Sequence, residues 1–295
     1  DYGPPEIRAD KHYNTLTIRM IIGQCSGLPN WFNEDGPNQF LIAPGERFIY
    51  SGVALEFLKE VIEEHLGKPW EAIAQDFFAK VGMINSTYQQ SVASNLYGAN
   101  VAREHQGDLS PIDNRTPSDS EKTFVAGSLL TTATDYVVFL QYCLNNPFLK
   151  STLLTGSTPL GDFPKTPGIE NHVQWGLGMG IYKDEEKTLA FHWGNNTGSH
   201  AFCAMNIDTG DCVACFINSE NGPNIFQALS EAVVGDMSPL FEWLSHYCAF
   251  NAASPAELSI SPTELIKSVN DQHKAEDRLA VSGRAMQSSG VFSNS

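Results

Sequence analysis

Two stretches decide the fold of this 295-residue chain. Residues 44–52 read PGERFIYSG and lead into an amphipathic segment, and residues 191–198 read FHWGNNTG and lead towards a turn signal. The first stretch places Tyr50 in a turn just before a helix start, and the second places His192 and Gly194 on a strand. The chain therefore joins a helical part, which follows Tyr50, to a stranded part that contains His192.

Apolar periodicity predicts a helix directly after the first stretch. Apolar residues recur every three or four positions over residues 53–66, from Ala54 to Leu66, and Gly67 stands where such a helix would end. Ser51 is expected to cap the N-terminus of this helix rather than to act as a reactive serine. The same reasoning predicts helices over residues 70–81, 129–144 (with Thr134 as a candidate N-cap), 225–234 and 240–250.

The apolar period changes to two in the second half of the chain. Alternation predicts strands over residues 173–182, 189–193, 201–207 and 212–218, and the DTGD sequence at 208–211 predicts that the last two form a hairpin. Helices first and antiparallel strands later favour an α+β fold over alternating βαβ units.

The two ends of the chain differ from its middle. Residues 1–14 are polar and proline-rich, and we interpret them as a linker or a truncated edge. Residues 15–250 are expected to form one domain, mostly helical over 15–150 and built on the sheet with closing helices over 170–250. Residues 251–295 are rich in Ser and Ala, which predicts a polar and partly disordered tail.

Charge and hydropathy restrict the classes of partner. The formal net charge is −16, which argues against a nucleic-acid partner because phosphate binding needs clustered Lys and Arg. No uncharged apolar run approaches the ~20 residues that span a bilayer.

The six cysteines are too sparse for a disulfide scaffold. Cys212 and Cys215 have the CxxC spacing, but residues three apart on a strand point to opposite faces, which suits neither a metal nor a redox pair. We predict buried free thiols, which favours a reducing, cytoplasmic compartment over a periplasmic or secreted one. Cys25 lies in GQCSG, a cysteine analogue of the nucleophile elbow, but the following LPN predicts a loop instead of the helix that an elbow requires.

Five short motifs occur in the order and spacing of one known family. The chain resembles the serine β-lactamase-like family, which includes class C β-lactamases, penicillin-binding-protein-like peptidases and related esterases. The matching motifs are TIR at 17–19 with SGLP at 26–29, PGERFIYSG at 44–52 with GKP at 67–69, VGM at 81–83 with ST at 86–87, AGSL at 126–129 with TTATD at 131–135, and HWG at 192–194.

The resemblance implies a fold and a mechanism. The fold is a helical domain set against an antiparallel sheet flanked by helices, with the site in the cleft between them. In this family a serine attacks a carbonyl, a lysine one turn later helps to deprotonate the serine, a tyrosine assists proton transfer, and backbone N–H groups hold the oxyanion.

The same resemblance assigns roles by position. Tyr50 corresponds to the catalytic tyrosine, His192, Trp193 and Gly194 form the third motif, and the amide of Asn195 is the strand donor to the oxyanion. The implied substrate is a small-molecule ester or amide, no cofactor or metal is expected, and the family allows oligomers.

The sequence departs from the family pattern at three places. None of its eleven lysines follows a serine by three positions, so the Ser-x-x-K nucleophile motif is absent from this chain. The simplest expectation is that an N-terminal segment with the nucleophile and the first strands lies upstream of Asp1; a degenerate paralogue and a partner chain that supplies the segment are the alternatives. Gly52 stands where the family often has asparagine and offers no amide side chain. His192 replaces a lysine and carries less positive charge at neutral pH, which weakens recognition of a substrate carboxylate.

The residues leave three hypotheses open. The first is a hydrolase that acts on an ester or amide through an acyl-enzyme, as the retained Tyr50 and HWG motif suggest. The second is a catalytically inactive member with a binding or assembly role, in which Tyr50 is a core residue and His192 only satisfies hydrogen bonds in the sheet. The third is an interaction module attached through the tail.

Overall fold

The structure is a computed structural model that describes residues 2–32, 38–89, 91, 93, 100–112, 123–154, 158, 169 and 172–245. The predicted tail over residues 251–295, and the last part of the helix predicted over 240–250, lie outside the described residues. The helices are α1 (Pro5–Ala9), α2 (Ile18–Ile22), α3 (Gly52–Leu66), α4 (Trp70–Val81), α5 (Ala133–Asn145), α6 (Pro147–Leu153), α7 (Phe226–Val234) and α8 (Ser238–Leu244), with short 3-10 turns at Tyr13–Thr15 and Gly222–Ile225.

Helix α3 has the predicted caps at both ends. The Ser51 hydroxyl accepts a hydrogen bond from the backbone N of Ala54, and Gly67 ends the helix with a left-handed φ of 62°. The predicted apolar stripe is buried only at its start, since Ala54 is fully buried and Leu66 is 52% exposed. Helix α3 therefore anchors the chain through its first turn, next to Tyr50.

Three predicted boundaries need correction. Residues 1–14 are not a linker, because Pro5–Ala9 is helical and Ile7 is fully buried. Helix α5 begins at Ala133 rather than 129, and its cap is the hydroxyl of Thr132, not of Thr134. The strand predicted over 173–182 is two strands, because Gly178 adopts a φ of 94° and turns the chain between them.

The sheet has five strands in the order of the sequence, each antiparallel to the next. They are β1 (Val173–Trp175), β2 (Gly180–Lys183), β3 (Thr188–Asn196), β4 (Ser199–Asn206) and β5 (Cys212–Ile217). The predicted hairpin between β4 and β5 is confirmed, and so is the α+β class with helices against an antiparallel sheet.

Alternate residues of β3 enter two different cores. Leu189 and Phe191 pack with Trp243 of α8 on one face of the sheet, whereas Ala190 packs with Leu140 of α5 on the other. Each face of the sheet is thus covered by helices. Within the described part of the chain, no helix is long and apolar enough to cross a membrane.

Candidate active site

All six predicted site residues line a single cavity of about 920 Å³. They are Tyr50, Gly52, His192, Trp193, Gly194 and Asn195. The first turn of α3 and residues 125–132 form one side of this cavity, and strands β3, β4 and β5 form the other. The structure therefore brings together residues from two distant parts of the sequence, while their catalytic roles stay predictions.

The backbone around Tyr50 is held by the segment 24–30. The backbone N of Ile49 donates to the carbonyl of Gln24 at 2.8 Å, and the N of Ser51 donates to the Gln24 side-chain Oε1 at 2.7 Å. The N of Gly52 donates to Oδ1 of Asn30 at 2.9 Å. Bonds on both sides of Tyr50 fix the direction in which its side chain leaves the backbone.

The phenol ring of Tyr50 lies among aromatic rings. Its centroid is 5.4 Å from that of Trp193, 6.1 Å from that of Trp175 and 6.2 Å from that of His192. Burial raises the pKa of Tyr50 to about 12. At neutral pH the hydroxyl is therefore protonated, and it can become a base only beside a group, such as a lysine ammonium, that stabilises the phenolate.

The imidazole of His192 has a defined hydrogen-bond pattern. Its Nδ1 lies 2.9 Å from the carbonyl oxygen of Trp193. Because a carbonyl only accepts, Nδ1 carries the proton in the neutral ring and Nε2 is left as an acceptor. Burial lowers the pKa of His192, and the bond to Trp193 offsets only part of this effect. The ring therefore supplies a neutral proton acceptor rather than a positive charge.

The amide of Asn195 faces an unpaired edge of the sheet. The carbonyl of Thr188, at the start of β3, accepts a hydrogen bond from the backbone N of Ile207. Because hydrogen-bonded pairs alternate along antiparallel strands, the even-numbered residues of β3 exchange backbone hydrogen bonds with β4. The odd-numbered residues direct their N–H groups to the opposite edge of β3. On that edge β2 pairs with β3 only as far as Phe191. The N–H of Asn195 therefore lies beyond the end of β2, and its role as an oxyanion donor stays a prediction.

Gly52 is the first residue of α3 and lies close to the edge of the Trp31 indole. A Cβ atom at this position would lie 3.2 Å from Cη2 of Trp31, 3.3 Å from Oδ1 of Asn30 and 3.4 Å from Cβ of Ala126. The sequence showed that an amide was missing here, but it did not show that Trp31 fills the space. That contact joins a loop to a helix start, and no local pattern signals it.

A second buried histidine, which the sequence analysis did not select, lines the same cavity. His200 is 5% exposed, and its Nε2 lies 3.6 Å from Oε2 of Glu220, too far for a hydrogen bond. Burial lowers the pKa of His200, while the Glu220 carboxylate opposes that shift. His200 lies directly opposite Asn195 across β3 and β4.

The cysteines in the described part of the chain show no sign of activation. Cys203 lines the cavity, and burial raises its pKa to about 12, so its thiol stays protonated at neutral pH. Cys212 and Cys215 are free and pack into the two different cores on opposite faces of the sheet, as their spacing predicts. Cys25 follows α2 and lies in a loop. Among the described residues, no three His, Cys, Asp or Glu side chains are grouped closely enough to hold a metal ion.

A sequence model of a protein family identifies the family of this chain. The model of the Beta-lactamase family matches residues 3–234, which is most of the chain. The chain belongs to the beta-lactamase family. The resemblance read from the five motifs is thereby confirmed. A search of curated proteins found no significant match.

Several solved structures share the fold. The D-amino acid amidase from Ochrobactrum anthropi SV3, complexed with L-phenylalanine amide, has 19% identity and a TM-score of 0.53, over 72% of this chain and 66% of the amidase. The D-stereospecific amidohydrolase from Streptomyces sp. has 16% identity and a TM-score of 0.58, over 83% of this chain and 76% of that protein. The octameric penicillin-binding protein homologue from Pyrococcus abyssi has 18% identity and a TM-score of 0.56, over 70% of this chain and 52% of the Pyrococcus protein. The chain thus spans just under two thirds of the amidase and about half of the Pyrococcus protein.

Proposed function

We propose that this chain is the larger part of a serine hydrolase that acts on a small-molecule ester or amide through an acyl-enzyme. The nucleophilic serine and its lysine would be supplied by a segment outside these 295 residues. The observation that supports this proposal is the convergence of Tyr50, His192 and the N–H of Asn195 on one cavity. Membership of a family with amidase and penicillin-binding relatives is consistent with this chemistry.

Each group has a role that its surroundings favour. The serine hydroxyl attacks the carbonyl carbon of the substrate, and its proton passes to the lysine of the same segment. The lysine ammonium then lowers the pKa of Tyr50, which relays a proton to the leaving group. The amide of Asn195 donates to the oxygen on which negative charge develops. The Nε2 of neutral His192 accepts a hydrogen bond from the substrate or from the relay.

The cavity has room for the segment that would supply the serine and the lysine. Its volume of about 920 Å³ lies near the upper end of the ~300–1,000 Å³ typical of ligand pockets. Tyr136 on α5, Cys203 on β4 and Phe216 on β5 contribute to its lining. Side chains from a further segment could therefore pack there while Tyr50 and Asn195 stay accessible to a substrate.

Covalent labelling tests the proposal. Protein expressed from the natural start codon is treated with a fluorophosphonate and its intact mass is measured. We expect one adduct, on a serine upstream of Asp1, and no adduct on residues 1–295 expressed alone. Tyr50→Phe should slow labelling by about 100-fold, in the range of a lost acid–base group. Tyr142→Phe, on a ring that packs against Phe77 outside the cavity, should leave labelling unchanged. No adduct on the complete protein would refute the hydrolase.

The alternative is a catalytically inactive member with a binding or assembly role. Gly52 and the missing Ser-x-x-K favour it, because both are places where the family carries catalytic groups. This alternative predicts a stable complete protein without an adduct. The Pyrococcus relative is octameric, so an oligomer is also compatible with this chain. Light scattering coupled to gel filtration measures the mass of the particle in solution and so gives its number of subunits directly.

A further inference from the structure

Trp31 and Gly52 are packed as a pair at the cavity. The Cβ atom of a larger residue 52 would lie 3.2 Å from Cη2 of Trp31, closer than ordinary van der Waals contact, so the indole would have to shift by a few tenths of an ångström to admit it. Both residues line the cavity, together with Leu55 and Ala126. The space next to Tyr50 that a side chain at position 52 would take is therefore bordered by the apolar side chains of Trp31, Leu55 and Ala126. Its one polar neighbour, Oδ1 of Asn30, already accepts a hydrogen bond from the backbone N of Gly52.

Hydrogen bonds fix the position of this surface. The carbonyl of Pro29 accepts from the Ser51 hydroxyl at 2.8 Å, and the carbonyl of Asn30 accepts from the backbone N of Val53 at 3.1 Å. Together with the bond from Gly52 to the Asn30 side chain, they attach the residues before Trp31 to the first turn of α3. These bonds hold the backbone next to Trp31 against the helix that begins after Tyr50, which reduces the ordering cost when a ligand packs on the indole.

We infer that Trp31 is a specificity-determining residue, and that the site prefers esters or amides whose acyl part carries a flat apolar group, such as a phenyl ring, over those with a polar carboxamide. The physical reason is that an indole packs well with a planar apolar group but leaves an amide without hydrogen-bond partners. This inference rests on the proposed function for the reaction but not for the binding preference, which the chain can show without a nucleophile.

The test uses two ketones that resemble the substrates but cannot be hydrolysed. Binding of 4-phenylbutan-2-one and of 4-oxopentanamide to the complete protein, expressed from its natural start codon, is measured by saturation-transfer NMR, which suits weak ligands. We expect the phenyl ketone to bind more tightly to the native chain. Trp31→Ala should weaken its binding by about tenfold, in line with a lost aromatic pair, and Trp31→Phe should retain most of it. Phe148→Ala is the control: it removes an aromatic ring that is 72% exposed and lies outside the cavity, so binding of the phenyl ketone should stay unchanged.

A paired substitution checks the close packing of residues 31 and 52. Gly52→Asn alone should lower the melting temperature, because its Cβ comes close to Trp31, Asn30 and Ala126, whereas Gly52→Asn with Trp31→Ala should recover the part of that loss that is due to the indole. The double variant should also bind 4-oxopentanamide more tightly than the native chain does.

Equal binding of the phenyl ketone to the native chain and to Trp31→Ala, with both folded by circular dichroism, would overturn the inference. So would a native chain that binds neither ketone or prefers the carboxamide. A negative fluorophosphonate result on the complete protein bears on the hydrolase only, because the ketone preference is measured without any covalent step.

Discussion

The side-chain oxygen Oε1 of Gln24 accepts a hydrogen bond from the backbone N of Ser51 at 2.7 Å, immediately after Tyr50 in the chain. Gln24 is 3% exposed and adopts a left-handed φ of 52°, a conformation that non-glycine residues rarely take. Backbone strain of this kind persists where the surrounding structure requires it. Here it lets one residue accept hydrogen bonds from both neighbours of the candidate catalytic tyrosine.

Replacing Gln24 should separate the hydrogen bond from the backbone strain. Gln24→Ala leaves the buried N–H of Ser51 without a partner and should destabilise the fold by ~1–3 kcal/mol. Gln24→Gly loses the same bond but relieves the left-handed strain, so it should be less destabilised by about 1 kcal/mol. Urea unfolding measures both values. Leu109→Gly is the control, because Leu109 has a φ of 68° and is 66% exposed, so it should only gain stability. Equal losses in the free energy of unfolding for Gln24→Ala and Gln24→Gly would show that the left-handed backbone of Gln24 is not strained.

The two cavity histidines predict a loss of stability in acid. The pKa values of His192 and His200 are lowered below 6.5 in the folded state by burial, so the unfolded chain binds protons that the folded chain does not. The stability that the neutral histidines contribute is fully present above pH 6.5. It is lost as the pH falls through the pKa values of His192 and His200 in the folded state. Urea unfolding at a series of pH values should show this decline, with a smaller slope in His192→Gln and His200→Gln. His65→Gln, at the exposed end of α3, should keep the native slope, and a native slope in all three variants would contradict the assignment.

Local signals predicted much of the helical part, and motifs predicted part of the site. Helices α3 and α4 end where Gly67 and Gly82 adopt left-handed φ values, which a sequence encodes directly. The split of the strand over 173–182 was missed because Gly178 lies inside an unbroken alternating pattern. Gln24 and Trp31 were missed because their partners are more than twenty residues away, and such contacts leave no periodic trace.

Asp135 on α5 should contribute strongly to stability through a buried hydrogen-bond network. Its buried carboxylate accepts from the backbone N of Asn85 at 2.6 Å and from the Ser86 hydroxyl at 2.8 Å. Asp135→Asn turns an acceptor into a donor facing these groups, so we expect a loss of ~1–3 kcal/mol in the free energy of unfolding. The matched change Asp76→Asn, in a surface ion pair with Lys68, should cost no more than ~1 kcal/mol. Similar losses for the two variants would show that the Asp135 network contributes little.

Adjacent residues of β3 distinguish an oxyanion donor from a structural amide. The N–H of Asn195 points away from β4, whereas that of Asn196 belongs to the hydrogen-bonded pair with Ser199. Asn196→Pro should therefore lose ~1–3 kcal/mol of stability with its ladder bond, and Asn195→Pro should lose less. In the complete protein, Asn195→Pro should slow fluorophosphonate labelling by about 100- to 1,000-fold, the usual effect of removing one oxyanion donor. Labelling at the native rate in a folded Asn195→Pro protein would exclude this amide from the oxyanion site.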